Sequence, residues 1–314
     1  MKVLVIGGAG FIGSHVTARL CEKRQEVSVF DDLSTGYEDN LDKRAKLIKA
    51  NLSDRQMLDL AVEGKDAIIH LAAESIIEDS IRDPERTLKR NINYAINILE
   101  AMRKNNVKHI VFASSAAVYG EPAEEKLIKE ESIKKPLQAY GSSKIAIEKI
   151  LLGYYNSFGI NSVSLRFFNA YGPRDDMLPV RRAVPRWIKA VILNRPVELF
   201  WKGEQIRDYI YAGDIAEAHL AVLGKPGCHQ YNIGSGKGTK VKEILEAVFK
   251  AAGKRVKVID AGERKGDPNF LVADISKIER EIGWKPKVGL EEGMKETYKF
   301  YKNNIKSLER IDGV

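Results

Sequence analysis

KVLVIGGAGFIGSH, residues 2–15, decides the fold. The run KVLVIG reads as a strand buried on both faces, and the glycine-rich turn after it leads straight into a segment, 11–23, with helical apolar spacing. Glycines stand at 7, 10 and 13. At a strand-to-helix turn, glycine permits a sharp reversal, lets a pyrophosphate lie against the backbone and leaves a helix N-terminus open to negative charge. Eighteen residues after Gly13, at the end of a second strand pattern, EVSVFD (26–31), comes Asp31, placed to take the hydroxyls of an adenosine ribose. A carboxylate there repels a 2′-phosphate and no arginine follows at once, so NAD rather than NADP is the expected cofactor.

Outward from this turn the rhythm repeats. KLIKA (46–50), DAIIHLA (66–72), HIVFAS (109–114) and NSVSLRF (161–167) read as further strands, separated by helical patterns at 54–63, 85–104 and from Tyr140 onward. Alternation of this kind predicts a parallel, doubly wound Rossmann-type α/β sheet over residues 1–168. Beyond 168 the rhythm breaks. Pro173, Pro179, Pro185 and Pro196, short strands around VELF and RDYIYA, and helices near 214–223, 240–251 and 290–303 predict a smaller C-terminal α/β lobe, 169–314, with the chain free to cross back between lobes. A cleft between the lobes is the natural site.

The 314 residues are 44% hydrophobic, enough for a sizeable core, yet no apolar run approaches the ~18 residues of a membrane span, and no signal peptide is expected. Two cysteines, Cys21 and Cys228, with no metal-ligand spacing, suit a reduced cytoplasmic setting without a structural metal. The formal charge of +8 does not imply nucleic acid, because lysine and arginine are interspersed with 43 acidic residues along the whole chain.

AYGSSKIAIEK (139–149) places Tyr140 and Lys144 one helical turn apart on the same face. A phenol normally ionises near pH ~10, and a nearby ammonium favours the phenolate, so the pair is a candidate general base with its tuner. Alone, the pair reads as a solvated lysine beside a half-buried tyrosine; the dinucleotide signature in the same chain changes that reading.

GGAGFIGSH, Asp31, HLAAE (70–74), SSAAVYG (114–120), YGSSK (140–144), RFFNAYGP (166–173), RDYIYAGD (207–214) and RKGDP (264–268) occur in the order seen in extended short-chain dehydrogenases/reductases. Over nearly its whole length the chain resembles UDP-glucose 4-epimerases. The resemblance implies NAD held by Gly7, Gly10, Phe11, Ile12, Gly13, Asp31, Asn51, Leu52, Leu71, Ala72, Ala73, Asn91, Ser114, Tyr140, Lys144 and Phe167. Many members carry Asp where Asn51 stands, and the lysine some place after the fourth strand appears as Ser75, which implies looser cofactor retention. Ser115, Tyr140 and Lys144 match the catalytic trio. A UDP-sugar substrate is implied at Ser115, Tyr140, Asn169, Arg207, Arg264, Asp267 and Leu271, the arginines suiting a diphosphate because guanidinium forks bond phosphate oxygens in pairs. Arg181, Arg182 and Arg186 read instead as a solvated helix start. A homodimer through the helices near 85–104 and 140–158 is the family expectation.

Sugar dehydratases of this superfamily carry Asp-Glu just before VYG and decarboxylases carry Glu, whereas this chain has Ala116 and Ala117. Methyl groups move no protons, so a reversible redox cycle at C4 followed by hydride return is the expected chemistry. Leu271 aligns with the position that gates sugar size, and UDP-glucose/UDP-galactose is the expected pair; UDP-N-acetylhexosamines, UDP-hexuronates and a catalytically silent NAD-binding scaffold are the alternatives.

Overall fold

The computed structural model describes residues 1–175, 182–263 and 268–311. Six expected strands form: β1 (Lys2–Ile6), β2 (Glu26–Asp31), β3 (Lys46–Lys49), β4 (Ala67–His70), β5 (His109–Ser115) and β6 (Asn161–Phe167). After them come β7 (Asn169–Tyr171), β8 (Val197–Leu199), β9 (Ile206–Arg207) and β10 (Tyr209–Tyr211), and then β11 (Cys228–Ile233), which returns to pair with β6. The main sheet thus has seven strands in the order β11-β6-β5-β4-β1-β2-β3, all parallel. β12 (Thr239–Lys240), β13 (Val258–Asp260) and β14 (Phe270–Leu271) belong to small sheets beyond it.

The helices are α1 (Phe11–Glu22), α2 (Arg55–Val62), α3 (Ile77–Arg82), α4 (Pro84–Lys104), α5 (Ala139–Phe158), α6 (Ala183–Ile192), α7 (Ala212–Val222), α8 (Val241–Ala252), α9 (Ser276–Ile282), α10 (Leu290–Asn303) and α11 (Ile305–Glu309). Local chemistry sets their ends. Asp83 caps α4 by accepting from the Arg86 N–H at 3.0 Å, with Pro84 at the first position, and α5 stops at Gly159, whose φ of 66° suits glycine.

Period-two alternation divides the core between the sheet's two faces. Val3 and Val5 pack with Val16, Leu20, Ile215 and Val222 of α1 and α7, while Leu4 and Ile6 pack with Leu58, Ile98, Leu99 and Ile147 of α2, α4 and α5. Each such side chain removed from water contributes about 1.5–3 kcal/mol, which is why β1 can sit at the centre of the sheet with no polar face. A separate core of Tyr171, Trp187, Ile188, Val191, Leu245, Val248, Tyr298 and Tyr301 holds the second lobe around α6, α8 and α10. The chain crosses back through α7 and β11, so the boundary near residue 168 divides the molecule only in part.

Candidate active site

The loops that follow β1, β2, β4, β5 and β6 lie at the C-terminal edge of the parallel sheet, where doubly wound folds bind ligands. Gly7 has φ +80°, and a Cβ there would stand 2.5 Å from the Ala72 nitrogen; one on Gly13 would stand 2.0 Å from the Gly7 carbonyl oxygen. Both positions therefore require glycine. Gly10 begins α1 with no side-chain cap and no acidic residue in the first turn, so the helix offers its N-terminus to an anion. Phe11 is buried and Ile12 is partly buried against the core. Leu71 and Ala72 donate to the Ile6 carbonyl at 2.8 and 3.2 Å, which lays the stretch from Leu71 to Ala73 beside the glycine turn.

Asp31 accepts from the Ala9 N–H and the Leu33 N–H, each at 2.9 Å; burial raises its carboxyl above the usual range and these bonds oppose that. Leu33 adopts φ +57°, a strained conformation that costs about 1–3 kcal/mol and places strain beside the acidic residue. Gly36, unmarked in the sequence reading, rests on the glycine turn: a Cβ there would meet Ala9 at 2.6 Å. Asn51 donates to Asp32 at 2.6 Å and accepts from the Tyr94 hydroxyl at 3.2 Å. Its amide explains the departure from Asp, since a carboxylate at 51 would face that of Asp32. Leu52 is turned into the core.

Asn91 joins the loop after β4 to the catalytic helix. Its carbonyl takes the Glu74 N–H at 2.8 Å, and its amide donates to the Glu74 carbonyl at 3.1 Å and to the Ser143 hydroxyl at 3.0 Å. Ser115, at the end of β5, stands opposite Phe167 of β6 and bonds the Tyr140 hydroxyl. Tyr140 is half-buried on the first turn of α5, and its phenol is pushed up by burial, against the Ser115 hydrogen bond and the positive charge of Arg182. Lys144 is fully buried, donates to the Ala113 carbonyl at 2.7 Å, and stands 4.7 Å from the Phe112 ring centroid and 5.5 Å from that of Tyr140. Burial lowers its ammonium to about 7, with Glu148 opposing. The sequence pattern suggests that Lys144 lowers the phenol; in the structure desolvation outweighs the Ser115 and Arg182 contributions and the phenol ends above its ordinary value. His70, opposite Phe112 in the β4–β5 ladder, is buried and pushed down to about 3, by burial and then by Lys144, so it is neutral.

Arg182 also departs from its expected role. It ion-pairs with the buried Asp175 and lies 5.4 Å above the Phe11 ring centroid, so it reaches the cleft instead of only starting a helix. Arg186 approaches Glu198 at 3.9 Å on a partly exposed face, as a surface residue does. Ser114 turns inward and donates to Glu148 at 2.7 Å.

In the second lobe, Leu271 lies opposite Arg207 in the β9–β14 ladder, and the Asn169 N–H donates to the Asp208 carbonyl at 2.9 Å, so these three substrate candidates are brought together. Arg207 is buried and its guanidinium donates to the Ile206 and Pro268 carbonyls. Asp208, missed in the sequence, holds this corner: its carboxylate accepts from the Ser235 N–H and hydroxyl at 2.6 Å, the Gly236 N–H at 3.0 Å and the Ala273 N–H at 3.2 Å. Arg264, Asp267 and Arg181 lie outside the described residues. Among the described residues no group of three His, Cys, Asp or Glu side chains is placed to hold a metal, and no helix is long and apolar enough to cross a membrane.

Known proteins share this fold and much of this sequence. The chain is 36% identical over 313 residues to the UDP-glucose 4-epimerase of Streptococcus mutans, covering 91% of this chain and 92% of that one. Its fold superposes on the crystal structure of UDP-glucose 4-epimerase from Thermotoga maritima with UDP-glucose at a TM-score of 0.93, with 33% identity over 98% of this chain and 100% of the other. The Thermus thermophilus UDP-glucose 4-epimerase complex with NAD gives a TM-score of 0.90 with 36% identity, over 96% and 99% of the two chains. Residues 3–234 match the sequence profile of the NAD dependent epimerase/dehydratase family, and the chain belongs to that family.

Proposed function

We propose that this protein interconverts the C4 epimers of a UDP-hexose with NAD as cofactor, UDP-glucose and UDP-galactose being the substrate pair. The observation that carries the reading is the placement of Ser115, Tyr140 and Lys144 beside a glycine cradle that no side chain could occupy, with Ala116 and Ala117 following the serine in place of further acid/base groups. The activities named for the S. mutans and T. maritima proteins support it. NAD fits the uncapped N-terminus of α1, Asp31 and the main chain of residues 71–73, and when bound it supplies the acceptor and donor of the C4 hydride and a positive charge beside the phenol.

Tyr140 takes the C4 hydroxyl proton and later returns it, while Ser115 orients the phenol. With burial raising the phenol and lowering the ammonium, the pair loses its first proton as a unit. Neutral phenol with neutral amine and phenolate with ammonium hold the same number of protons. Local charge, not pH, therefore sets the ratio between these two forms, and the second is the competent base. Arg207 and Asn169 hold the nucleotide diphosphate while the 4-keto hexose turns to present its other face, a division of grip that favours inversion. Leu271, beside Arg207, bounds the space for the sugar.

A cytoplasmic homodimer is the proposed state, supported by two free cysteines and by Leu152, Tyr155 and Phe158 standing exposed on α5. The deciding experiment incubates the purified protein with UDP-galactose, with and without added NAD⁺, and quantifies UDP-glucose. Product without net NADH is expected; NAD binding with no product would overturn the choice of substrate.

A further inference from the structure

Glu148 follows Lys144 by one helical turn on α5, on the same face, and is buried. Its carboxylate is bound on both oxygens. Arg166 of β6 donates from Nε at 2.9 Å and from Nη2 at 2.7 Å, and Ser114 adds a bond at 2.7 Å. The other Arg166 nitrogen donates to the Tyr119 hydroxyl at 2.8 Å and the Glu130 carbonyl at 3.0 Å, and Tyr119 donates to Asn232 of β11 at 2.6 Å. Asn232 in turn donates its main-chain N–H to Glu130 Oε1 at 2.8 Å and its side-chain amide to the Ile128 carbonyl at 2.7 Å. A polar network sealed in the core is costly unless each member is satisfied, and this one fixes the buried carboxylates of Glu148 and Glu130 in place.

Around Lys144 stand Tyr140 and Glu148 on its own helix, neutral His70 on β4 and the Ala113 carbonyl on β5, while the Ser114 hydroxyl and Arg166 of β6 bear on it through the Glu148 carboxylate that they bind. Asn91 of α4 contributes only an amide, through Ser143, and Arg182 bears on Tyr140 from the second lobe. Glu148 is thus the negative charge that opposes desolvation of the ammonium.

We propose that Glu148 is a positioning residue for the redox step, its buried carboxylate holding Lys144 as the ammonium and so favouring the phenolate form of Tyr140, with Arg166 setting how much of that charge Lys144 receives. The proposal rests on the catalytic reading of Tyr140 and Lys144 given above. It makes two variants move in opposite directions. In Glu148→Gln the ammonium loses its counter-charge, so the limb of the kcat/KM pH profile that reports the first proton lost by the Tyr140–Lys144 pair moves to lower pH by about one unit, and the plateau falls about tenfold. In Arg166→Gln the carboxylate is no longer shared, so the same limb moves to higher pH. Arg166→Lys keeps the positive charge and leaves the limb in place.

The experiment measures kcat/KM for UDP-galactose against pH in these variants, with thermal unfolding to establish that each folds. A merely structural role would lower activity in both glutamine variants without opposed shifts; limbs that stay fixed, or move the same way, overturn the proposal. If Glu148→Gln does not fold, the comparison of Arg166→Gln with Arg166→Lys carries the test alone. Tyr140→Phe and Lys144→Ala are run alongside. Full turnover in Tyr140→Phe would remove the catalytic reading itself, whereas inactive Tyr140→Phe and Lys144→Ala with an immobile limb in the glutamine variants would remove only the role given to Glu148.

Discussion

Tyr140 and Lys144 were legible as a pair because helical spacing alone puts them on one face. Their electrostatics were not, since burial and the charge of Arg182 reach the phenol from segments remote in sequence. Removing the phenol oxygen leaves the fold untouched but takes away the group that moves the proton, so Tyr140→Phe is expected to lose roughly 10²–10⁴-fold in kcat with little change in melting temperature. Steady-state kinetics and thermal unfolding on the same sample check both halves. Asp31 was legible as a ribose ligand; that it also ties the Ala9 and Leu33 amides together was not, because a positive φ at Leu33 leaves no mark in a one-letter code.

The helices of the sheet layers were readable to within a few residues, because apolar spacing over two or more turns is a strong signal: 85–104 became Pro84–Lys104, and 54–63 became Arg55–Val62. Six-residue α3 carried too little periodicity to be seen, and of proline-containing α6 only the start was read, from its arginines. β11, CHQYNI, escaped for another reason. It is a sheet-edge strand with polar residues, one of which, Asn232, is buried to complete a hydrogen-bond network rather than to face solvent. At the start of α1 the prediction is steric. Gly13→Ala drives a methyl group to 2.0 Å from the Gly7 carbonyl oxygen, so the turn must shift. The variant is expected to lose about 1–3 kcal/mol of stability, and the rise in melting temperature on adding NAD⁺ should disappear. Asn91→Ala unties the loop after β4 from α5 and leaves the Glu74 amide and the Ser143 hydroxyl short of a partner, at an expected cost of about 1–3 kcal/mol by chemical denaturation.

Across the whole molecule, the doubly wound architecture followed from the first glycine turn, while the substrate corner did not. Asp208 gathers the backbone of residues 235, 236 and 273, and nothing in the local pattern RDYIYA says that these distant segments meet there. The crossing back of α7 and β11 makes the two lobes one folding unit in part. A fragment of residues 1–168 lacks the strand that covers β6 and the helix that packs on α1, and is expected to be aggregation-prone and to show no cooperative melting transition; calorimetry or circular dichroism of the fragment beside the full chain decides this.

The same crossing fixes an order of events during synthesis. The outer edge of β6 leaves the ribosome about 60 residues before its partner β11, a wait of several seconds at ~5–20 residues per second. For that interval the half of the protein that carries the tyrosine, the lysine and the glycine turn displays an open row of main-chain donors and acceptors. The nascent chain is therefore most exposed to wrong pairing just after its chemistry has been encoded, and the last strand of the main sheet to arrive protects that sheet as well as completing it.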